Sequence, residues 1–288
     1  MTKPIFTGVC TALVTPFLEN RLNTPMLRQL IRRQELAGVD ALLICGTTGE
    51  SAALTDTEKL ELFKTSREAI PESVPFIAGT GSNNTAHAVA LSQAAQELGA
   101  DALLVVSPYY NKATEEGLYR HYRHIAEAVS IPVILYNVPS RTGLDIPVSV
   151  YQKLAEIPNI VGVKEASADI RKIAWTRHQC PRDFSVWCGN DDLAVPALSL
   201  GASGLISVVS NVEPELTRAM TKAALDGDFD TASDLQCKLL PLIQALFREV
   251  NPVPVKEALK QIGLDCGSCR LPLGNASPDT KEALASLL

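Results

Sequence analysis

The apolar run Ile160-Val161-Gly162-Val163 ends in a lysine, Lys164. A lysine leaving a buried strand either carries its amine out to water or holds it desolvated, and a desolvated amine is a nucleophile. An ordinary lysine ammonium is neutral in only about one molecule in a few thousand at pH 7, and burial is one environment that raises that fraction. Strand alternation puts Lys164 on one face with Gly162, a small residue that leaves room for a substrate beneath the amine. Val161, Val163 and Glu165 take the other face, and Glu165 reads as a solvated or helix-paired carboxylate. Tyr136 ends a second apolar run and shares a face with Ile134, which directs its phenol to the same cavity as Lys164. There it can relay protons; a packed tyrosine with a satisfied hydroxyl is the alternative.

Three further groups fall where such runs end. Thr47 and Thr48 stand between Gly46 and Gly49, where backbone N–H groups and hydroxyls can approach an anion, although the same residues also suit a plain turn. Arg141, in Pro139-Ser-Arg-Thr-Gly143, is a forked donor on a mobile turn and matches a carboxylate; a surface arginine is the other reading. Ser107-Pro-Tyr-Tyr-Asn111 and Gly189-Asn-Asp191 close two more runs. Lysine, tyrosine, threonine and arginine together suit a carbonyl substrate that bears a carboxylate. His121 and His124 have no acidic partner that would complete a metal site and read as surface residues.

These residues need a scaffold that gathers strand ends. Eight runs rich in Val, Ile and Leu alternate with amphipathic segments: Gly8–Val14, Ala41–Cys45, Pro75–Gly79, Ala102–Val106, Pro132–Tyr136, Ile160–Lys164, Ser185–Cys188 and Gly204–Val208. Helical patterns between them include 25–36, 56–69, 85–98 and 115–129, the second opened by a capping box from Thr55 to Glu58. Gly38, Gly99 and Gly201 each close a helix before the next strand, at a spacing of roughly 25–30 residues per unit, which fits the ~250 residues of an eight-unit barrel. The sequence therefore predicts an α/β fold, a (β/α)8 TIM barrel over 1–225. An open doubly wound sheet is the weaker choice, because no GxGxxG turn follows the first strand. Beyond Asp226-Gly-Asp228 the alternation stops, and 229–249, 254–263 and 278–288 read as a helical appendage, with Ser277-Pro278 capping the last helix.

Composition narrows the function. The chain has 288 residues, 46% hydrophobic, with a formal net charge of −6. That describes a large soluble domain with a sizeable core, and the scattered Lys and Arg argue against a nucleic-acid partner. An anionic small substrate then needs a local cationic pocket. The seven cysteines are odd in number, and several lie in strand-like runs, as reduced thiols of a cytosolic protein do. Cys266-Gly-Ser-Cys269 is the one CxxC and reads as a loop with two ordinary thiols. No leader and no run of ~18 apolar residues is visible, so a cytoplasmic location with no membrane partner is expected.

Together the segments Thr11–Phe17, Gly46–Ser51, Ala78–Gly81, Ser107–Asn111, Tyr136–Gly143, Val163–Ser167 and Asn251–Lys256 resemble the dihydrodipicolinate synthase family over nearly the whole chain. That family belongs to the pyruvate-dependent class I aldolase superfamily, which includes N-acetylneuraminate lyase. The resemblance implies that Lys164 forms a Schiff base with pyruvate, whose enamine attacks aspartate semialdehyde. It implies a proton relay of Tyr136, Thr47 and Tyr110, with Tyr110 reaching a neighbouring subunit's site. It implies that Thr48 binds the pyruvate carboxylate, that Arg141 orients the second substrate's carboxylate, and that Gly189 and Ile206 line the pocket with backbone. No metal or cofactor is implied, and the oligomer is at least a dimer, with a dimer-of-dimers tetramer expected. Some members carry a lysine-feedback cleft that Ser51, Ala52, Asn83 and Tyr109 fit. Asp56 and Lys59 stand where sensitive members have histidines, and His87 where they have an acid, so weak or absent inhibition by lysine is expected. A related lyase or 2-oxo acid aldolase acting on sugar acids, and a non-catalytic oxo-acid sensor, are the alternatives.

Overall fold

Eight parallel strands close on themselves in a computed structural model that describes residues 4–288. They are β1 (Gly8–Ala12), β2 (Ala41–Ile44), β3 (Phe76–Gly79), β4 (Ala102–Val106), β5 (Val133–Asn137), β6 (Ile160–Glu165), β7 (Ser185–Cys188) and β8 (Gly204–Ser207). Each pairs with its sequence neighbours, and β8 closes the ring against β1. The helices are α1 (Thr24–Leu36), α2 (Asp56–Ala69), α3 (Thr85–Glu97), α4 (Glu115–Glu127), the single turn α5 (Pro139–Thr142), α6 (Val148–Leu154), α7 (Ile170–Gln179), α8 (Ala194–Ser199) and α9 (Pro214–Leu225). Strand and helix limits differ from the sequence expectation by one or two residues at most ends, where fraying makes boundaries soft.

Alternation along the strands sorts two cores. Outward residues such as Val9, Leu42, Leu103, Leu135 and Val163 join the layer beneath the helices. Inward residues form a separate plug that includes Cys10, Leu43, Ile77, Leu104, Ile134, Trp187 and Ile206. Phe6 stacks on Trp187 with ring centroids 5.3 Å apart, and the indole N–H donates to the Phe6 carbonyl at 3.2 Å, so the amino-terminal end of the barrel is filled. The Thr55–Glu58 capping box forms as read, and Gly38, Gly99 and Gly201 follow their helices in the left-handed conformation.

Two features differ from the sequence reading. A two-stranded ribbon, Phe17–Leu18 with Arg21–Leu22, was not foreseen, since two-residue strands carry no period. His121 is buried rather than on the surface: its Nδ1 lies 2.9 Å from the Thr85 hydroxyl, and burial pushes its pKa down to about 4. His124, three residues on, is exposed.

After α9 the chain forms α10 (Phe229–Leu246), α11 (Val253–Gln261) and α12 (Pro278–Ala285), with Ser277 capping α12 as expected. Gln236 of α10 ties to the barrel by donating to the Asp191 carbonyl at 3.0 Å and accepting from the Val195 N–H at 3.2 Å. The stretch between α11 and α12 returns across the carboxyl-terminal mouth. There the Arg270 guanidinium donates to both Glu58 oxygens, at 2.8 and 2.5 Å, and lies 4.3 Å from the Phe17 ring centroid. Lys256 forms a fully buried pair with Glu50 at 2.6 Å, on the glycine-threonine loop after β2.

The Arg270 fork holds the Glu58 carboxyl down from an ordinary 4.5 to about 2. A carboxyl whose folded pKa lies below its unfolded one adds stability above pH ~4.5, and that stability fades as pH falls toward 2. With the side chain 22% exposed, the effect is roughly 1–3 kcal/mol. Thermal melts should show wild type losing more stability than Glu58→Gln between pH 4.5 and 2. Parallel losses would remove the ion pair as their cause.

Candidate active site

The end of β6 is set by a bulge. Val133 pairs with Ile160, but Ile134 pairs with Gly162, so Val161 is an extra residue on β6. Ile160 belongs to the outer layer and Val161 packs on the inner plug, with Gly162 following it inward. Without the bulge, strict alternation from Ile160 through Val161 would send Lys164 outward. With it, Tyr136 pairs level with Lys164. The Lys164 Nζ lies 4.4 Å from the Tyr136 ring centroid, and the two side chains are only 5% and 6% exposed.

Glycines shape the space around the amine, though not as the sequence suggested. A Cβ on Gly162 would collide with the Ser185 carbonyl and stand 2.9 Å from Cζ3 of Trp187. The room beneath Lys164 is thus filled by the Trp187 indole rather than left for a substrate. Gly189, after β7, is the residue that admits the lysine: a Cβ there would stand 2.9 Å from Lys164 Cε and 2.7 Å from Ala166 Cβ.

Glu165 is not solvated; of the two readings the helix-paired one holds in part, since its partner Tyr151 lies on α6. It is 3% exposed, and its oxygens accept from Asn137 Nδ2 (2.9 and 3.2 Å), the Tyr151 hydroxyl (2.8 Å) and the Ser167 N–H (2.9 Å). Asn137 also donates to Asp145 at 2.8 Å and accepts from the Ile146 N–H at 3.0 Å. Lys172 pairs with Asp145. Burial, then the Glu165 charge, pushes the Tyr151 phenol pKa well above its ordinary value. This knot clamps the residues that directly follow Tyr136 and Lys164.

A cavity of ≈ 780 Å³ opens over the carboxyl ends of the strands, lined by Thr47, Tyr136, Val138, Arg141 and Asn251 among others. Its far side reaches Ser51, Ala52, Asp56, Lys59, Ser82 and His87. Lys164 is not part of the lining; it lies behind the Tyr136 ring. Thr48 is buried, its hydroxyl accepting from Asn251 Nδ2 at 3.0 Å. Arg141 lies on the helical turn α5 and donates to the Asn251 carbonyl at 3.4 Å. Ile206 is fully buried in the inner plug beside this group. Tyr110 stands apart: it is 90% exposed, has φ +74°, and lines none of its own chain's cavity. Asp191, after β7, is buried and accepts from the Val208 and Val209 N–H groups at 3.0 and 3.1 Å, and burial raises its carboxyl pKa. All seven cysteines are free thiols. Among the described residues no cluster of three His, Cys, Asp or Glu could hold a metal ion.

Residues 5–288 match the model of the dihydrodipicolinate synthetase family. The chain belongs to that family. It is 48% identical over 288 residues to the 4-hydroxy-tetrahydrodipicolinate synthase of Acetivibrio thermocellus, covering 100% of this chain and 98% of the relative. The crystal structure of dihydrodipicolinate synthase from Aquifex aeolicus superposes with a TM-score of 0.97 at 42% identity, covering 98% of this chain and 97% of that one. The enzyme of Acinetobacter baumannii, solved in complex with pyruvate, gives a TM-score of 0.96 at 40% identity, covering 98% and 97%. The (β/α)8 barrel with carboxyl-terminal helices is the fold of the family.

Sequence reasoning missed Asn137 and the contact of Asn251 with Thr48. Asn137 directly follows Tyr136 and Asn251 opens a quoted motif, yet nothing local to either reveals its partner, which lies 28 or 203 residues away. Replacing Glu165 by alanine leaves buried donors on Asn137, Tyr151 and Ser167 without an acceptor, at about 1–3 kcal/mol each. At about 2 °C per kcal/mol for a chain of this size, thermal denaturation of Glu165→Ala should show a Tm lowered by roughly 6–18 °C. A change under about 2 °C would mean that the knot does not hold the strand ends.

Proposed function

We propose that this protein condenses pyruvate with L-aspartate 4-semialdehyde to 4-hydroxy-tetrahydrodipicolinate, a step of lysine and diaminopimelate biosynthesis, by Schiff-base chemistry on Lys164. The reading is carried by one observation: a buried lysine amine lies against a tyrosine ring beneath the mouth cavity of a barrel of this family.

The Lys164 amine adds to the pyruvate keto carbon, and loss of water leaves an imine on Nζ. Protonated, that imine is the electron sink: a methyl proton leaves, the enamine forms, and its carbon attacks the aldehyde carbon of the second substrate. The new alkoxide takes up a proton. The second substrate's amino group then attacks the imine carbon, closes the ring and frees Lys164. Tyr136, with Thr47 and Tyr110, carries the protons of the addition and dehydration steps. Thr48 donates to the pyruvate carboxylate, and Arg141, at the cavity wall, takes the carboxylate of the aldehyde substrate. The backbone at Gly189 and Ile206 borders the imine. The reaction as written requires neither metal nor cofactor.

The exposure of Tyr110 supports its serving the site of a second copy of the chain. The working unit is then at least a homodimer, and a dimer of dimers is the assembly proposed. The barrel of residues 1–225 carries the chemistry, with 226–288 as the helical subdomain that covers its mouth. Among the described residues no helix is long and apolar enough to cross a membrane; a cytoplasmic location is the proposed one. At the far end of the cavity the Asp56 carboxylate already pairs with His87 at 2.9 Å and Lys59 at 3.4 Å, so a cationic effector meets no free anion there.

Borohydride reduction in the presence of pyruvate should give one adduct, on Lys164 by mass spectrometry, and Lys164→Ala should give none and lose most activity. An adduct on another lysine would sink the assignment. Coexpressed Tyr110→Phe and Lys164→Ala chains, each nearly inactive alone, should recover about a quarter of wild-type turnover through hybrid dimers with one intact site. No recovery would place Tyr110 in its own chain's site. Lysine titrations should leave activity largely unchanged in the submillimolar range; half-inhibition there would overturn the reading of the Asp56 cluster.

A further inference from the structure

Asn251 sits between the two groups that hold carboxylates, yet it comes from the carboxyl-terminal segment, just before α11. Its Nδ2 donates to the Thr48 hydroxyl at 3.0 Å, and its backbone carbonyl accepts from the Arg141 guanidinium at 3.4 Å. We propose that Asn251 is a positioning residue that turns the Thr48 hydroxyl proton toward the substrate carboxylate. The inference rests on the reading of Thr48 as the donor to pyruvate.

A threonine hydroxyl has one proton and two lone pairs, and an amide NH2 only donates. With Nδ2 occupying a lone pair of Thr48 Oγ1, the hydroxyl proton cannot point back at Asn251. No other protein group accepts from it in the structure, so it remains available to an incoming anion. Thr48 is almost fully buried, where a hydroxyl that fails to meet a carboxylate with its proton presents a lone pair instead and repels it. The opposite end of the amide, Oδ1, is buried without a partner. Among the described residues, the bond to Thr48 is the only side-chain hydrogen bond that Asn251 makes. Through its carbonyl the same residue fixes the distance between the Thr48 hydroxyl and the Arg141 guanidinium, hence between the two carboxylate sites.

The test measures the pyruvate concentration that half-saturates borohydride trapping at Lys164, for wild type, Asn251→Ala, Asn251→Asp, Thr48→Val and the Asn251→Ala/Thr48→Val pair. Asn251→Ala should raise it about tenfold, the worth of one hydrogen bond to a charged group. The double variant should lie within about twofold of Thr48→Val alone, because the amide acts through that hydroxyl. Asn251→Asp keeps the shape and reverses the polarity: its oxygens accept the Thr48 proton, so half-saturation should rise at least as far as with alanine. The aspartate arm also decides the matter should the alanine variant fail to fold. Wild-type half-saturation in Asn251→Asp, or effects that multiply in the double variant, would overturn the proposal. A wild-type enzyme that traps no pyruvate would instead refute the Schiff-base function, while leaving the Asn251–Thr48 contact as it is.

Discussion

A bulge in β6 decides which side of the barrel wall Lys164 occupies. The bulge at Val161 places both Val161 and Gly162 inward, and so brings Lys164 into the barrel level with Tyr136 on the adjacent strand. The barrel closed behind the bulge leaves little freedom to undo it. Trp187 fills the space beside Gly162, Phe6 stacks on Trp187, and the missing side chain of Gly189 leaves room for the lysine stem. The amine is held by a packed core and not by a flexible loop, which is the condition for presenting a reactive group in one geometry.

The polar surroundings divide the labour. On the outer side of the same strand ends, Glu165, Asn137 and Tyr151 form a satisfied buried knot that fixes backbone without entering the cavity. On the mouth side, groups of the glycine-threonine loop and of the first turn of α2 are tied to the carboxyl-terminal segment: Glu50 to Lys256, Glu58 to Arg270, and Thr48 to Asn251. Breaking a buried pair such as Glu50–Lys256 by removing one partner costs about 3–5 kcal/mol, because a lone buried charge remains. The appendage is therefore bonded into the mouth rather than resting on it. A boundary at residue 226 divides the chain by fold pattern but not by site, since Asn251 lines the same cavity as Thr47, Tyr136 and Arg141.

Much of this was legible in order along the chain. The apolar runs, the capping box at Thr55, the glycines after three helices and the residue types at strand ends are local signals, and each names its own element. From them follow the barrel, the helical appendage and the short list of groups able to react with a carbonyl. The motifs around Thr47, Tyr136, Arg141 and Lys164 add the family.

What they could not give was pairing. Glu165 read as solvated or helix-paired and His121 as a surface residue, and the sequence left Glu165 open because burial depends on what packs over a side chain, which neither sequence neighbour reveals. Gly162 read as substrate space because the Trp187 ring that fills it comes from the next strand. The bulge at Val161 exists only as a mismatch between two strands, and the bond from Asn251 to Thr48 spans 203 residues. Sequence alone determined the elements and their chemical equipment, through periodicity and local capping. Tertiary structure decided register, burial and partners, because those are properties of surfaces brought together by closing the ring.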